Sequence, residues 1–399
     1  MRRLLLVAAA AAALAGCGGT NSDEETVHVD RPPWMRGCDH IYYERYGLPQ
    51  LLILSDLPLR GDLRSIAMQM TQGVKLVVKE HGFRTGRFSI AYVSCDTTGS
   101  NGTWSRSRCV APMREAARRK KVIGVLLPID LGCADAAVRE LASAKPGPLA
   151  SVAVINAALR LPERGAVRVV APLAAQAAAD AILVRDLGAG SVAVVEDGTA
   201  YGRRFARAFR EAAAALDLEV VAEPEQAEAA LVAGTLAPAG TRALRAARSA
   251  LPAKAPLVLA PAFTPPAQVA EEVGAAAEGA YIGVSGVAGQ RLPASGRDFA
   301  VRFEQAIHLP PHPLVLYAAQ AAQLLLDAIA ASDGTRPSVA FALRRSSGPG
   351  LVGWMGFDAR GEPRVAPVSV LRIQGGMERL SRVIVPPRAL WQRADSAVP

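Results

Sequence analysis

An α/β fold of two lobes, each a doubly wound parallel sheet, is predicted by three features of the sequence. Short apolar runs of buried-strand type alternate with amphipathic stretches of helical period. The alternation starts near residue 50 and begins afresh near residue 176, and two consecutive sets of strands and helices imply two sheets with right-handed crossovers. A chain of 399 residues is long enough for two such units.

Taken in order, residues 50–55 form a continuous apolar run, hence a buried strand. Asp62 is placed to cap a helix in which Leu63, Ile66, Met70, Val74, Val77 and Val78 recur on one face until Gly82. Residues 88–93 read as a strand, 109–120 as a helix, 122–127 as a strand, 134–144 as a helix and 149–154 as a strand. The second set opens with a helix over 176–186 that stops at Leu187-Gly188. It continues with a strand over 191–195, a helix over 203–214, and strands over 218–221, 229–232, 256–259 and 279–284. Helices follow over 297–305 and 314–331. The stretch 351–370 reads as short antiparallel strands turning at Asp358-Ala359-Arg360-Gly361.

Composition narrows the function. Hydrophobic residues make up 51% and charged ones 20% of the chain, enough to fill real cores, so a disordered chain or a disulfide-only scaffold is excluded. The net charge is +9, but the densest basic cluster, Arg114 with Arg118, Arg119, Lys120 and Lys121, lies in an alanine-rich helix without aromatic neighbours. That is a solvated helix face, and no nucleic-acid partner is expected. The long uninterrupted apolar run at residues 4–14 follows Arg2-Arg3 and is shorter than the ~20 residues a spanning helix needs.

Leu14-Ala15-Gly16-Cys17 after that run resembles a bacterial lipobox. The resemblance implies a signal peptide over residues 1–16 and lipid on Cys17. Residues 17–48 become a lipidated tether and lead-in, and acyl chains hold the protein to the outer face of the cell membrane. In that oxidising compartment Cys38, Cys95, Cys109 and Cys133 suit two disulfides, with three pairings possible. Cys95 ends a strand and Cys109 opens the next helix across a polar loop, so Cys95–Cys109 is favoured, leaving Cys38–Cys133. No Cys-x-x-Cys occurs to suggest zinc.

Several segments, in this order, carry a family resemblance: 55–61 (SDLPLRG), 73–78 (GVKLVV), 92–96 (YVSCD), 122–125 (VIGV) before a Gly-Cys loop, 197–203 (DGTAYGR) and 352–363 (VGWMGFDARGEP). Over residues 50–375 the chain resembles type I periplasmic-binding proteins, the leucine-binding-like receptors of ABC importers. The resemblance implies lobe 1 over 49–160 plus 285–348 and lobe 2 over 161–284 plus 349–390, joined by a hinge with chain crossings. It also implies a small solute, an amino acid or related compound, held by cleft closure and passed to an ABC permease. No cofactor and no catalysis are implied.

Carried over by position, the ligand-binding residues are Leu59 and Arg60, then Asp130, Gly132 and Cys133, then Asn156 and Ala157, with Tyr201 from the second lobe. Relatives place Ser or Thr where this chain has Leu131, Cys133, Ala153 and Ala157, and an aromatic where it has Ala158-Leu159. No acid stands at Ala237-Pro238-Ala239 to pair an ammonium group, and 222–228 is too short for the usual crossover helix. A buried charge left unpaired costs several kcal/mol. The sequence therefore points away from free amino acids, toward a less polar solute or, alternatively, a structural or sensory lipoprotein that binds another protein.

Other candidate chemistry reads blandly. Pro310-Pro311 prevents His308 and His312 from sharing a helix face as a metal pair. Asp96 and Asp130 could form a carboxylate pair, but each suits a strand-end loop or cap better. No nucleophile elbow, Walker loop or His-Glu-x-x-His is present.

Overall fold

The computed structural model describes Met35 and residues 37–392. The expected leader and Cys17 lie outside the described residues. The first sheet is built from β1 (Leu51–Leu57), whose seven residues are all buried, followed by α1 (Arg64–Glu80). It continues through β2 (Arg84–Thr85), β3 (Phe88–Asp96), α2 (Arg106–Arg118), β4 (Val122–Leu126) and α3 (Leu131–Ala142) to β5 (Ala150–Ala153) and β6 (Ala166–Arg168). Its order is β2-β3-β1-β4-β5-β6, parallel except for β2. The apolar stripe of α1 (Ala67, Met70, Val74, Val77, Val78) is buried as its period requires. Leu63, not Asp62, occupies its capping position, and no side chain caps it.

The second sheet follows α4 (Leu173–Asp186). It comprises β7 (Ser191–Glu196), α5 (Ala200–Ala214), β8 (Glu219–Val221), β9 (Ala229–Ala233), α6 (Pro238–Ala250), β10 (Leu257–Leu259), α7 (Pro266–Val273) and β11 (Tyr281–Ser285). Between β8 and β9 there is only a 3-10 turn at Pro224–Gln226. The chain then returns to the first lobe for α8 (Ala294–Ile307), α9 (Pro313–Ala330), α10 (Arg336–Arg345) and the hairpin β12 (Ser347–Gly350) and β13 (Gly353–Gly356). It ends in the second with β14 (Val368–Gln374) and β15 (Met377–Ile384), which complete the order β15-β14-β11-β10-β9-β7-β8. α9 is long and apolar enough to cross a membrane, yet it is a buried core helix packed on α1.

Two separate cores confirm two lobes. One includes Met35 to Val170 and Leu292 to Phe357, the other Ala171 to Ile282 and Ala366 to Trp391. The crossings therefore lie later than expected. Residues 166–168 belong to the first lobe, because Ser151, Val152 and Ala153 register with Ala166, Val167 and Arg168. Residues 349–357 also stay there, since Val352, Met355 and Phe357 are buried in its core. The lead-in is integral too. Cys38 and Tyr42 bridge antiparallel to Cys95 and Tyr92, and Met35, Ile41 and Tyr43 are buried beside them.

The expected disulfide pairing is wrong. The bonds are Cys38–Cys95 and Cys109–Cys133. Helices α2 and α3 pack side by side, which brings their first turns together and sets the Cys109 and Cys133 Cα atoms 5.6 Å apart, a normal span for the bond. Cys95 is met instead by the lead-in strand.

Candidate functional site: the space between the lobes

Ligands of doubly wound sheets sit at the carboxyl ends of the strands. In the first lobe that edge is organised by Asp96. Its Oδ1 accepts the Leu59 N–H at 3.0 Å, the Thr98 N–H at 3.0 Å and the Thr98 hydroxyl, and its Oδ2 lies 3.1 Å from Arg60 Nε. Asp96 thus ties the β1 loop to the end of β3. The two loops touch through backbone, and only glycine fits: Gly61 has φ +72°, and a Cβ there would lie 2.3 Å from the Gly102 carbonyl. Trp104, half exposed, rests against Gly132 at the start of α3.

Asp197 plays the same part in the second lobe. It accepts the N–H and hydroxyl of Thr199 (2.9 and 2.6 Å) and of Thr235 (2.9 and 3.3 Å), joining the ends of β7 and β9. Burial would raise its pKa, but those hydrogen bonds outweigh it and hold the carboxyl below its ordinary value. Sequence reasoning put Asp96 at a strand-end loop or cap and gave Asp197 no role of its own, although each carries the same signal, Asp-x-Thr at a strand end.

The expected ligand residues divide. Leu59, Arg60, Asp130 and Gly132 belong to the loops at the first lobe's carboxyl edge. Asp130 caps α3 by accepting the Cys133 N–H at 2.9 Å, and the Cys133 sulfur is committed to Cys109. Asn156 is buried, donating its amide to the Pro128 carbonyl at 2.6 Å. Tyr201 packs on Phe205 with ring centroids 6.0 Å apart. Burial, with Asp180 nearby, pushes its phenol upward. His308 and His312 serve helix ends: His308 takes the left-handed φ of +59° after α8, and His312 Nδ1 accepts the Leu314 N–H at 3.2 Å.

A cavity of about 820 Å³ lies between the lobes, beside two of the chain crossings. Its walls are α3 of the first lobe, α4 and α5 of the second, and the segments 157–163 and 359–362. Of the eight expected ligand residues only Ala157 lines it. Arg168 and Glu362 face each other at its margin, and Arg204 on α5 donates from Nη2 to the Ala158 carbonyl at 3.1 Å, bridging the lobes. The arginines of α5 gave no sequence signal, since Arg at three-residue spacing on an amphipathic helix reads as a solvated face.

Two α/β lobes joined by several crossings, with a ligand-sized space between them, define a binding protein of the clamp class. The periplasmic binding protein family profile matches residues 57–377, and the chain belongs to that family. It is a family of solute-binding proteins rather than enzymes, and membership implies an extracytoplasmic place and a small-molecule ligand. Among solved structures, a leucine-binding protein of Thermotoga maritima is similar with a TM-score of 0.67 at 18% identity, covering 84% of this chain and 99% of that one. An ABC transporter substrate-binding protein of Desulfitobacterium hafniense in complex with Leu gives 0.66 at 20%, covering 83% and 99%. An ABC transporter solute-binding protein of R. palustris in complex with benzoate gives 0.61 at 18%, covering 84% and 96%. At these identities the likeness is one of fold. No curated protein matches the sequence.

Proposed function

We propose that this protein is an extracytoplasmic solute-binding lipoprotein, anchored through lipid on Cys17, that captures a small solute between its lobes and delivers it to an ABC permease. The observation that carries the reading is the interlobe cavity, walled by both lobes and by the segments that cross between them. A ligand there touches both halves, so its binding energy favours the closed arrangement. Structural neighbours in complex with Leu and with benzoate support a small organic solute. Ala157 is the expected ligand residue that lines this cavity, while Leu59, Arg60, Asp130, Gly132 and Tyr201 are kept as candidates at the strands' carboxyl edges, outside its lining.

A ligand that binds the folded protein raises its melting temperature by mass action. A thermal-shift panel of amino acids, amides and organic acids should contain at least one compound that does so, and a panel that leaves the transition unmoved counts against solute capture. Replacement Cys17→Ser should move the protein from the membrane to the soluble fraction.

The second reading, a structural or sensory lipoprotein that docks another protein, is favoured by one feature. The missing crossover helix leaves edge strand β8 with Glu219 and Val220 exposed, and an unpaired strand edge is a template for another chain.

A further inference from the structure

We propose, resting on the solute-capture reading, that the ligand is an organic acid without an ammonium group, held in the interlobe cavity by Arg204 and Arg207. Three observations lead there. Arg204 and Arg207 stand three residues apart on α5, so both guanidinium groups reach the same wall of the cavity. Neither forms an ion pair with any carboxylate among the described residues. Arg204 Nε is buried with no hydrogen-bond partner, a standing cost that the side chain sheds by turning its guanidinium toward a bound oxygen.

The other charges on the walls leave the excess positive. Asp135 is taken by Arg139 at 2.6 Å, and Glu362 by Arg168 at 2.8 Å. The carboxylates that remain are Glu163, exposed on the first-lobe loop between β5 and β6, and Glu211 on α5, against Arg204, Arg207 and the exposed Arg160 and Arg360. A carboxylate suits the paired forks of two arginines better than any neutral group. Between the charges the walls are apolar, with Leu159, Leu161, Leu173 and Ala174. The fitting molecule is an apolar body ending in a carboxylate.

The test uses the full chain and defined probes: phenylacetate and hexanoate, their amides, and phenylalanine and norleucine as ammonium-bearing counterparts. Calorimetric titration should show the two acids binding about tenfold or more tighter than their amides and than the amino acids. Arg207→Gln, an exposed position on the helix, should weaken the acids about tenfold or more while leaving the melting temperature within a few degrees. Arg204→Gln should do the same, and if that variant does not fold, Arg207→Gln alone decides. Equal binding of acids and amides, preference for the amino acids, or unchanged affinity in Arg207→Gln overturns the arginine clamp and leaves solute capture standing. Binding of no probe, together with a flat thermal-shift panel, overturns both.

Discussion

Arg168 and Glu362, 194 residues apart in sequence, meet fork to fork, with Nε to Oε2 at 2.8 Å and Nη2 to Oε1 at 2.9 Å. The Arg168 guanidinium also donates to the Asn156 and Leu159 carbonyls and is only 2% exposed. The pair joins the end of β6 to the last crossing, so two of the strands that connect the lobes are clipped together by one buried ion pair.

Removing Arg168 takes away the two-pronged partner of the buried Glu362 carboxylate. Arg168→Met should cost about 3–5 kcal/mol of unfolding free energy, and Arg168→Met with Glu362→Leu should recover part of it. Urea denaturation of both variants measures this. A double variant no more stable than the single one would show that the charge itself is not the liability.

Both disulfides close loops that the unfolded chain would otherwise leave open. The double replacement Cys109→Ser with Cys133→Ser should lower stability by about 2–4 kcal/mol. Non-reducing peptide mapping should recover Cys38 with Cys95 and Cys109 with Cys133. A Cys95–Cys109 peptide contradicts the arrangement.

Asp56 and Asp180 are fully buried and neither carboxyl has a hydrogen-bond partner. Burial raises both pKa values well above the ordinary 3.8, with Asp96 adding to the rise at Asp56. A group whose folded pKa is raised contributes its full stability below the unfolded pKa and loses it as pH climbs toward the folded value. Stability should therefore fall as pH rises from about 4 into the neutral range. Asp180→Asn should flatten that slope and gain about 1–3 kcal/mol at pH 7. Guanidinium melts across pH read it; a steeper fall in the variant refutes the assignment.

Gly286 lies on a crossing between the lobes with φ +95°, where a Cβ would fall 1.5 Å from the Tyr317 hydroxyl, itself the acceptor for the Val287 N–H. Gly286→Ala should cost about 2–4 kcal/mol through backbone strain and overlap. Its partner change Tyr317→Phe, which removes the crowded oxygen, should return a measurable share. Differential scanning of the single and double variants is the check.

The fold was legible where a single periodicity ruled. β1 and α1 announce themselves because a parallel strand is apolar on both faces and a surface helix on one. Helices α6, α7 and α10 were not legible: α6 and α7 open with proline inside alanine-rich sequence, where apolar periodicity is weak. The lead-in through Cys38 looked like a tether because its buried residues are scattered among polar ones, and only β3 gives them a partner. At the site, strand-end loops could be named from order and spacing. The meeting of α3, α5 and the crossings depends on how two separately folded sheets face each other, and nothing local encodes that.

The bridge from Cys38 to Cys95 has a mechanical consequence. Any load applied to the chain upstream of Cys38 passes covalently into β3, beside the middle of the first sheet. On the proposed reading, with the chain held upstream of Cys38 and the lobes closing on a solute, the first lobe is the fixed half and the second the half that moves.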